Sequence, residues 1–182
     1  GRNRGKYILE KVKGLGENGE GNIIYTCEKQ VLQNEYPLLD ASQLNHIKIS
    51  KDSSQVELNF LTPFRVKFEG KITDNIKFHV ILRNLIRRIS SLLYFHCGEE
   101  LECDFKTYIN EAERIKTISN DLQWFDWERY STRQKQSMNL GGVLGSARFE
   151  GNLGPFIQLL RLGEYVHVGK GTSFGLGQYQ IK

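Results

Sequence analysis

Residues 56–98 read VELNFLTPFRVKFEGKITDNIKFHVILRNLIRRISSLLYFHCG. Val56, Leu58 and Phe60 alternate with Glu57 and Asn59, the period-two pattern of a strand with one buried face. Phe64, Val66 and Phe68 resume the alternation after Pro63, which lacks a ladder donor and implies a bulge or a sheet edge. From Phe78 the period changes. Phe78, Ile81, Leu82, Leu85, Ile89, Leu92 and Leu93 fall three and four residues apart, one apolar helical stripe running to about His96. Asp74 or Asn75 is the expected cap, and Gly98 the expected stop. In a chain of 182 residues with 39% apolar content, this pattern implies a packed core rather than disorder.

Downstream, residues 99–126 are acidic, with a short helix expected around Tyr108–Arg114 and a strand through Ile115–Ile118. Two further strands are expected in LQWFDWERYSTRQKQSMNL and GVLGSARFEG, separated by Gly141 and Gly142. Pro155 suits the first turn of a short helix whose inner face is Phe156, Leu159, Leu160 and Gly163. The run HVGKGTSFGLG and a terminal strand, QYQIK, close the chain. From Val56 the order is strand, helix, strands, helix, strand. It fits the α+β ferredoxin-like (RRM-like) βαββαβ scheme, a four-stranded antiparallel sheet under two helices.

Residues 1–55 differ. GKYILEKV and NIIYTCE read as strands, with Gly14, Gly16, Gly19 and Gly21 crowding the loop between them. NEYPLLDAS reads as a turn into a short helix or coil. These residues are too poor in apolar side chains to bury a core of their own. They read as the remnant of a larger unit, or as an extension of a main domain at 56–182.

Several classes are not supported. No apolar stretch follows GRNRGKY as a signal peptide requires. Arg or Lys breaks each apolar run before the roughly 18 residues of a membrane span. A cytoplasmic chain without membrane contact is expected. Cys27, Cys97 and Cys103 are odd in number and irregularly spaced, so free buried thiols in a reducing cytoplasm are expected and no zinc site. HExxH is missing, and neither a metal nor a cofactor is expected. The net charge of +4 permits an anionic partner without demanding one.

Three features carry chemistry. In the run from Gly169 to Gly177, the glycines Gly169, Gly171, Gly175 and Gly177 allow positive φ and close backbone approach. Their consecutive amides can form an anion-binding concavity, with charge from Lys170 and hydroxyls from Thr172 and Ser173. Neither GxxxxGK[ST] nor GxGxxG is met, which disfavours triphosphate and dinucleotide ligands. The alternative is a tight turn feeding the last strand. Second, residues 124–135 interleave aromatics with cations, a composition suited to stacking on bases and meeting phosphates. As one strand, Trp127, Arg129, Ser131, Arg133 and Lys135 would share a face. The alternative places the tryptophans in the core and the charges in solvent. Third, Arg65, Lys67, Lys71, Lys77, Arg83, Arg87 and Arg88 precede the acidic stretch, and Arg129, Arg133, Lys135, Arg148, Arg161 and Lys170 follow it. Together they would make a phosphate track; separately, each solvates its own face. Of His46, His79, His96 and His167, His96 closes the basic helix and His167 precedes the glycine run. Those two are the candidate proton shuttles, with a structural role as the alternative.

LTPFRVKFEG, FHVILRNLIRRISSLLYFHCGEEL, WFDWERYSTRQKQSMNLGGVLGSARFEG and LRLGEYVHVGKGTSFGLGQYQI, in that order, resemble the C-terminal half of CRISPR repeat-RNA processing endoribonucleases of the RAMP superfamily. GKGTSFGLG is the most specific part, and GRNRGKYILEKV resembles the join between that family's two halves. The resemblance implies a ferredoxin-like fold and a glycine-rich loop that contacts RNA. It implies metal-independent cleavage, in which the substrate's 2′-hydroxyl attacks the neighbouring phosphate to leave a cyclic phosphate and a 5′-hydroxyl. His96 or His167 would move the protons. Arg87, Arg88, Arg129, Ser131, Arg133, Lys135, Lys170 and the loop from Gly169 to Gly177 would hold the RNA. The partners implied are CRISPR repeat RNA, with room for other CRISPR effector subunits and a homodimer. Members usually carry two ferredoxin-like units, and this chain has space for about one. A non-catalytic RNA-binding subunit of the same superfamily is the alternative.

Overall fold

The computed structural model describes residues 6–16, 21–34, 36, 54–131 and 135–182. The chain divides into two compact units, Gly1–His46 and Ile47–Lys182. The first holds an antiparallel hairpin, β1 (Lys11–Leu15) and β2 (Gly21–Thr26), with Val12 opposite Tyr25. Tyr7, Ile8 and Leu9, expected in the first strand, precede it and are exposed. Gly14 and Gly21 lie within the strands rather than in the loop. A side chain on Gly21 would run into the Gly14 carbonyl at 1.7 Å. Beyond Tyr36 the expected turn and helix of NEYPLLDAS lie outside the described residues, as does His46.

The second unit opens with β3 (Gln55–Phe64) and a small hairpin, β4 (Val66–Phe68) and β5 (Lys71–Thr73). Helix α1 (Phe78–Leu92) follows and widens into one π-helical turn, Leu93–Cys97, that ends at Gly98 with φ 70°. Then come α2 (Phe105–Glu113), β6 (Lys116–Asn120), β7 (Gln123–Phe125), β8 (Glu128–Ser131), β9 (Gln136–Asn139) and β10 (Gly142–Glu150). Helix α3 (Ile157–Val166) and β11 (Tyr179–Ile181) complete the unit. The main sheet is antiparallel, in the order β11-β3-β10-β6, with β7 pairing the start of β10. A ferredoxin-like unit places its fourth, first, third and second strands in that order. Helix α2 is an addition to the six-element scheme.

Alternation along β3 buries Val56, Leu58 and Phe60 on one face, in one core with the α1 stripe of Phe78, Ile81, Leu82, Leu85 and Ile89 and with Phe156 and Leu160. The Phe78 ring meets Phe149 and Phe156 edge-on at 5.4 and 5.3 Å. Pairs such as these add about 0.5–1.5 kcal/mol beyond area burial. The opposite face carries Asn59 against Ser146 and Gln180, and Glu57 against Arg148. Arg148 pairs with Glu57 at 2.7 Å, and Lys182 lies 3.9 Å from the same carboxylate. In this polar row both cations lie against the one carboxylate, and it offers no ring to a nucleic acid.

Three expectations meet the structure differently. Helix α1 starts after Lys77 with no side-chain cap, and neither Asp74 nor Asn75 caps it; the Asn75 amide donates to Thr73 Oγ1 at 3.1 Å. Burial of Ile76 takes the chain through two further residues before it can coil. The strand expected across 122–140 is divided into β7 and the β8–β9 hairpin. Trp124 Nε1 donates to Asp126 Oδ1 at 2.7 Å between β7 and β8, and Lys135 turns the chain with φ 51°. Trp127 and Lys135 therefore lie outside the strand that holds Arg129 and Ser131, and Arg133 lies outside the described residues. The thiols of Cys27, Cys97 and Cys103 are free but not buried: Cys97 is exposed and the other two are half-buried. Of the bulge or sheet edge expected at Pro63, the bulge is present. Phe60 opposes Gly145 and Phe64 opposes Val143, so Leu61, Thr62 and Pro63 face a single residue of β10. Among the described residues no helix is long and apolar enough to cross a membrane.

Candidate nucleic-acid interface

The bulge holds the glycine-rich loop. Its three residues leave the β10 ladder, and their polar groups bind residues 175–178 instead. Gly177 N donates to the Pro63 carbonyl at 3.1 Å. Thr62 Oγ1 donates to the Gly175 carbonyl and accepts from Gln178 N, both at 2.9 Å. One residue past β3, the Arg65 carbonyl accepts from Lys170 N at 2.8 Å, and Val168 N closes the loop onto Gly177 O at 3.0 Å. Gly177 has φ 72°, and a side chain there would lie 1.8 Å from the Val168 carbonyl. Glycine alone fits that position.

Between Gly171 and Gly175, at φ 77° and 80°, the chain makes one 3-10 turn, Thr172–Phe174. Phe174 N bonds Gly171 O at 2.8 Å and Gly175 N bonds Thr172 O at 3.0 Å. The tight turn and the anion-binding concavity thus each describe part of the run. The amides of Val168, Lys170 and residues 174–178 hold the turn together. Those of Gly171, Thr172 and Ser173 have no backbone acceptor among the described residues, and Ser173 and Lys170 are exposed. Adjacent unengaged amides beside a lysine form a small electropositive concavity.

The β8–β9 hairpin reaches this turn. Arg129 Cζ sits 5.5 Å from the centroid of the Phe174 ring. Arg65 ties the two segments together. Its Nη1 donates to Asn139 Oδ1 at 3.0 Å and to the Gly141 carbonyl at 2.8 Å, while its own carbonyl holds Lys170. Phe174 and Arg65 are the contributors that sequence reasoning misses. In the sequence Arg65 counts only as a charge; the sole hint at Phe174 is an aromatic bracketed by glycines.

The other candidates scatter around this centre. Ser131 ends β8 opposite Gln136, and Lys135 is exposed in the hairpin turn. Arg88 Nε donates to the Val166 carbonyl at 3.3 Å, one residue before His167. Arg87 points elsewhere. Its Nη2 donates to Asn84 Oδ1 at 2.8 Å, beside a groove of about 730 Å³ lined by Lys67, Phe68, Arg83, Phe105 and Glu113. Arg83 and Arg161 are paired with Glu113 and Glu164 at 3.1 and 3.0 Å, so the basic track is smaller than its residue count.

His167 caps α3 at φ 60° and ψ 169°, a region nearly reserved for glycine, and its Nδ1 is buried without a hydrogen-bond partner. His96 is exposed in the π-helical turn, next to the edge-on pair Tyr94 and Phe95. No hydrogen bond joins the two imidazoles among the described residues. His79 lies against Phe68 at 5.5 Å. Burial lowers its pKa; Glu113 opposes the shift, and Arg83 and Lys77 add to it.

The sequence profile of the CRISPR-associated endoribonuclease Cas6 family matches residues 58–179, from β3 through the glycine-rich loop to the start of β11. This chain belongs to the Cas6 family. It is 26% identical over 180 residues to an uncharacterized protein of Archaeoglobus fulgidus, covering 94% of this chain and 54% of that one. A Cas6 product complex superposes with a TM-score of 0.58 at 18% identity, over 85% of this chain and 62% of the other. Thermus thermophilus Cas6 gives 0.58 at 15%, over 79% and 58%. At these identities the structural matches show a shared fold. The chain spans 54% to 62% of the length of these relatives.

Proposed function

We propose that this chain is the RNA-binding part of a metal-independent endoribonuclease that processes CRISPR repeat RNA, with residues 1–55 the remnant of a preceding ferredoxin-like unit. The observation that carries this reading is the place of Arg129, which enters no ion pair among the described residues, on Phe174 at the rim of a turn that holds three unengaged amides and follows the exposed Lys170. Such a rim suits a phosphate of an RNA strand. Cleavage would use the substrate's own 2′-hydroxyl as nucleophile. A base would remove its proton, an acid would protonate the leaving 5′-oxygen, and cations and amides would stabilise the charged phosphorane between them. His167, at the base of the loop with an unpartnered Nδ1, is the first candidate for proton transfer, and His96 the second. Lys170 and Arg129 would supply positive charge.

The test is binding of repeat RNA across a salt series, then cleavage in EDTA by this chain and by its full-length counterpart. Binding should weaken steeply with salt. Lys170→Ala should lower affinity and flatten the slope by about 0.7 per lost phosphate contact. Cleavage should leave a cyclic phosphate, and His167→Gly should abolish it without loss of fold. Affinity insensitive to both salt and Lys170→Ala would overturn the reading. The second reading is a non-catalytic RNA-binding subunit of a CRISPR effector complex. In that case guide RNA is retained, and cleavage is unaffected by His96→Ala and His167→Ala.

A further inference from the structure

We infer that Phe174 is a stacking seat for one unpaired nucleobase, and that Arg129 holds the ring ready for it; the inference rests on the RNA-binding reading above. The ring is 50% exposed at the tip of the 3-10 turn. Exposure alone would mean little, since single apolar side chains are common on surfaces. What distinguishes Phe174 is how firmly its backbone is held. Gly171 and Gly175 lock the turn at positive φ, bonds of 2.8 and 3.0 Å close it, and Thr62 clamps the Gly175 carbonyl at 2.9 Å. A ring on so fixed a backbone loses little freedom on binding.

Arg129 supplies the second half of the argument. Its guanidinium stands over the Phe174 ring at 5.5 Å, and among the described residues it enters no ion pair. A cation on one face restricts the ring and leaves the opposite face for another flat π system. The unengaged amides of Thr172 and Ser173 belong to the same turn. The preferred partner is a base in a single-stranded segment, because a base inside a duplex has both faces covered.

The experiment is an abasic scan. Single-stranded repeat RNAs, each lacking one base, are titrated against the wild-type chain and against Phe174→Leu and Phe174→Trp. One abasic position should weaken wild-type binding on the order of tenfold. Phe174→Leu should bind intact RNA more weakly and be indifferent to that position, whereas Phe174→Trp should keep the penalty. If intact RNA binds well but Phe174→Leu shows the same abasic profile as wild type, the stacking seat is wrong and the RNA-binding reading stands. If the wild-type chain binds no RNA, both fall. Circular dichroism of Phe174→Leu separates lost stacking from lost fold. Should Phe174→Leu fail to fold, Phe174→Trp decides alone: an abasic penalty kept at the same position supports the seat, and a penalty lost there overturns it.

Discussion

The hydroxyl of Tyr179 occupies the space beside Gly163 that a side chain there would need. A Cβ on Gly163 would lie 2.0 Å from Tyr179 Oη and 2.9 Å from Leu85 Cδ1. The hydroxyl donates to the Leu160 carbonyl at 2.6 Å. Tyr179 opens β11 and Gly163 lies in the last turns of α3, so this contact closes the base of the glycine-rich loop.

Gly163→Ala should therefore destabilise the unit by roughly 1–3 kcal/mol through overpacking. Tyr179→Phe should cost about 1 kcal/mol for the lost hydrogen bond. The double variant should be less unstable than the sum, because removing the hydroxyl makes room for the methyl. Urea denaturation of the four proteins measures the coupling; strict additivity would contradict the contact.

Alkaline pH should unfold the chain through Tyr179. The side chain is fully buried, and burial, with Glu164 adding and Arg161 opposing, raises its pKa well above 10. The folded state thus retains a proton that the unfolded state releases. Its contribution is complete below pH 10 and is lost as pH climbs from there through the raised folded value. Melting curves from about pH 9 upward should fall for wild type and flatten for Tyr179→Phe.

Two glycines of the loop should respond differently. Gly177→Ala drives a methyl into the Val168 carbonyl, so both stability and RNA affinity should collapse. Gly175 shares a positive φ of 80° but has nothing within 4 Å of its missing Cβ. Gly175→Asn should be well tolerated, since asparagine enters the left-handed region at low cost. Melting temperatures with RNA titrations check the pair; equal damage would mean that φ, not space, governs both.

Arg65→Met should free the β8–β9 hairpin while leaving the main sheet intact. Two bonds from a charged donor are lost, each worth about 1.5–3 kcal/mol locally. Hydrogen exchange should accelerate at 128–131 and 136–139 and stay slow at 56–60. Uniform acceleration would instead indicate a global role.

What can be read from the chain beforehand follows a physical line. Val56, Leu58 and Phe60 and the stripe from Phe78 to Ile89 are legible because burial imposes a period on neighbours. Gly98, Pro63 and Pro155 are legible because backbone geometry restricts which residues serve there. The β8–β9 hairpin is not, since Lys135 adopts φ 51° where a glycine or asparagine would have marked a turn. The same limit hides Arg129 against Phe174 and Arg65 against Gly141, contacts between residues 45 and 76 positions apart. Folding alone brings such pairs together, and no local pattern announces them. Charge counting misleads in the other direction, because Arg83, Arg148 and Arg161 already have carboxylate partners.

The bulge at Leu61–Pro63 sets a rule of length. Deleting one of those residues would shift Thr62 and Pro63 out of reach of Gln178 and Gly177, and would turn either Phe60 or Phe64 toward solvent. Strand and loop must therefore change together. A graft of the nine residues from Gly169 to Gly177 onto a regular strand would carry the amino acids across and leave their anchorage behind.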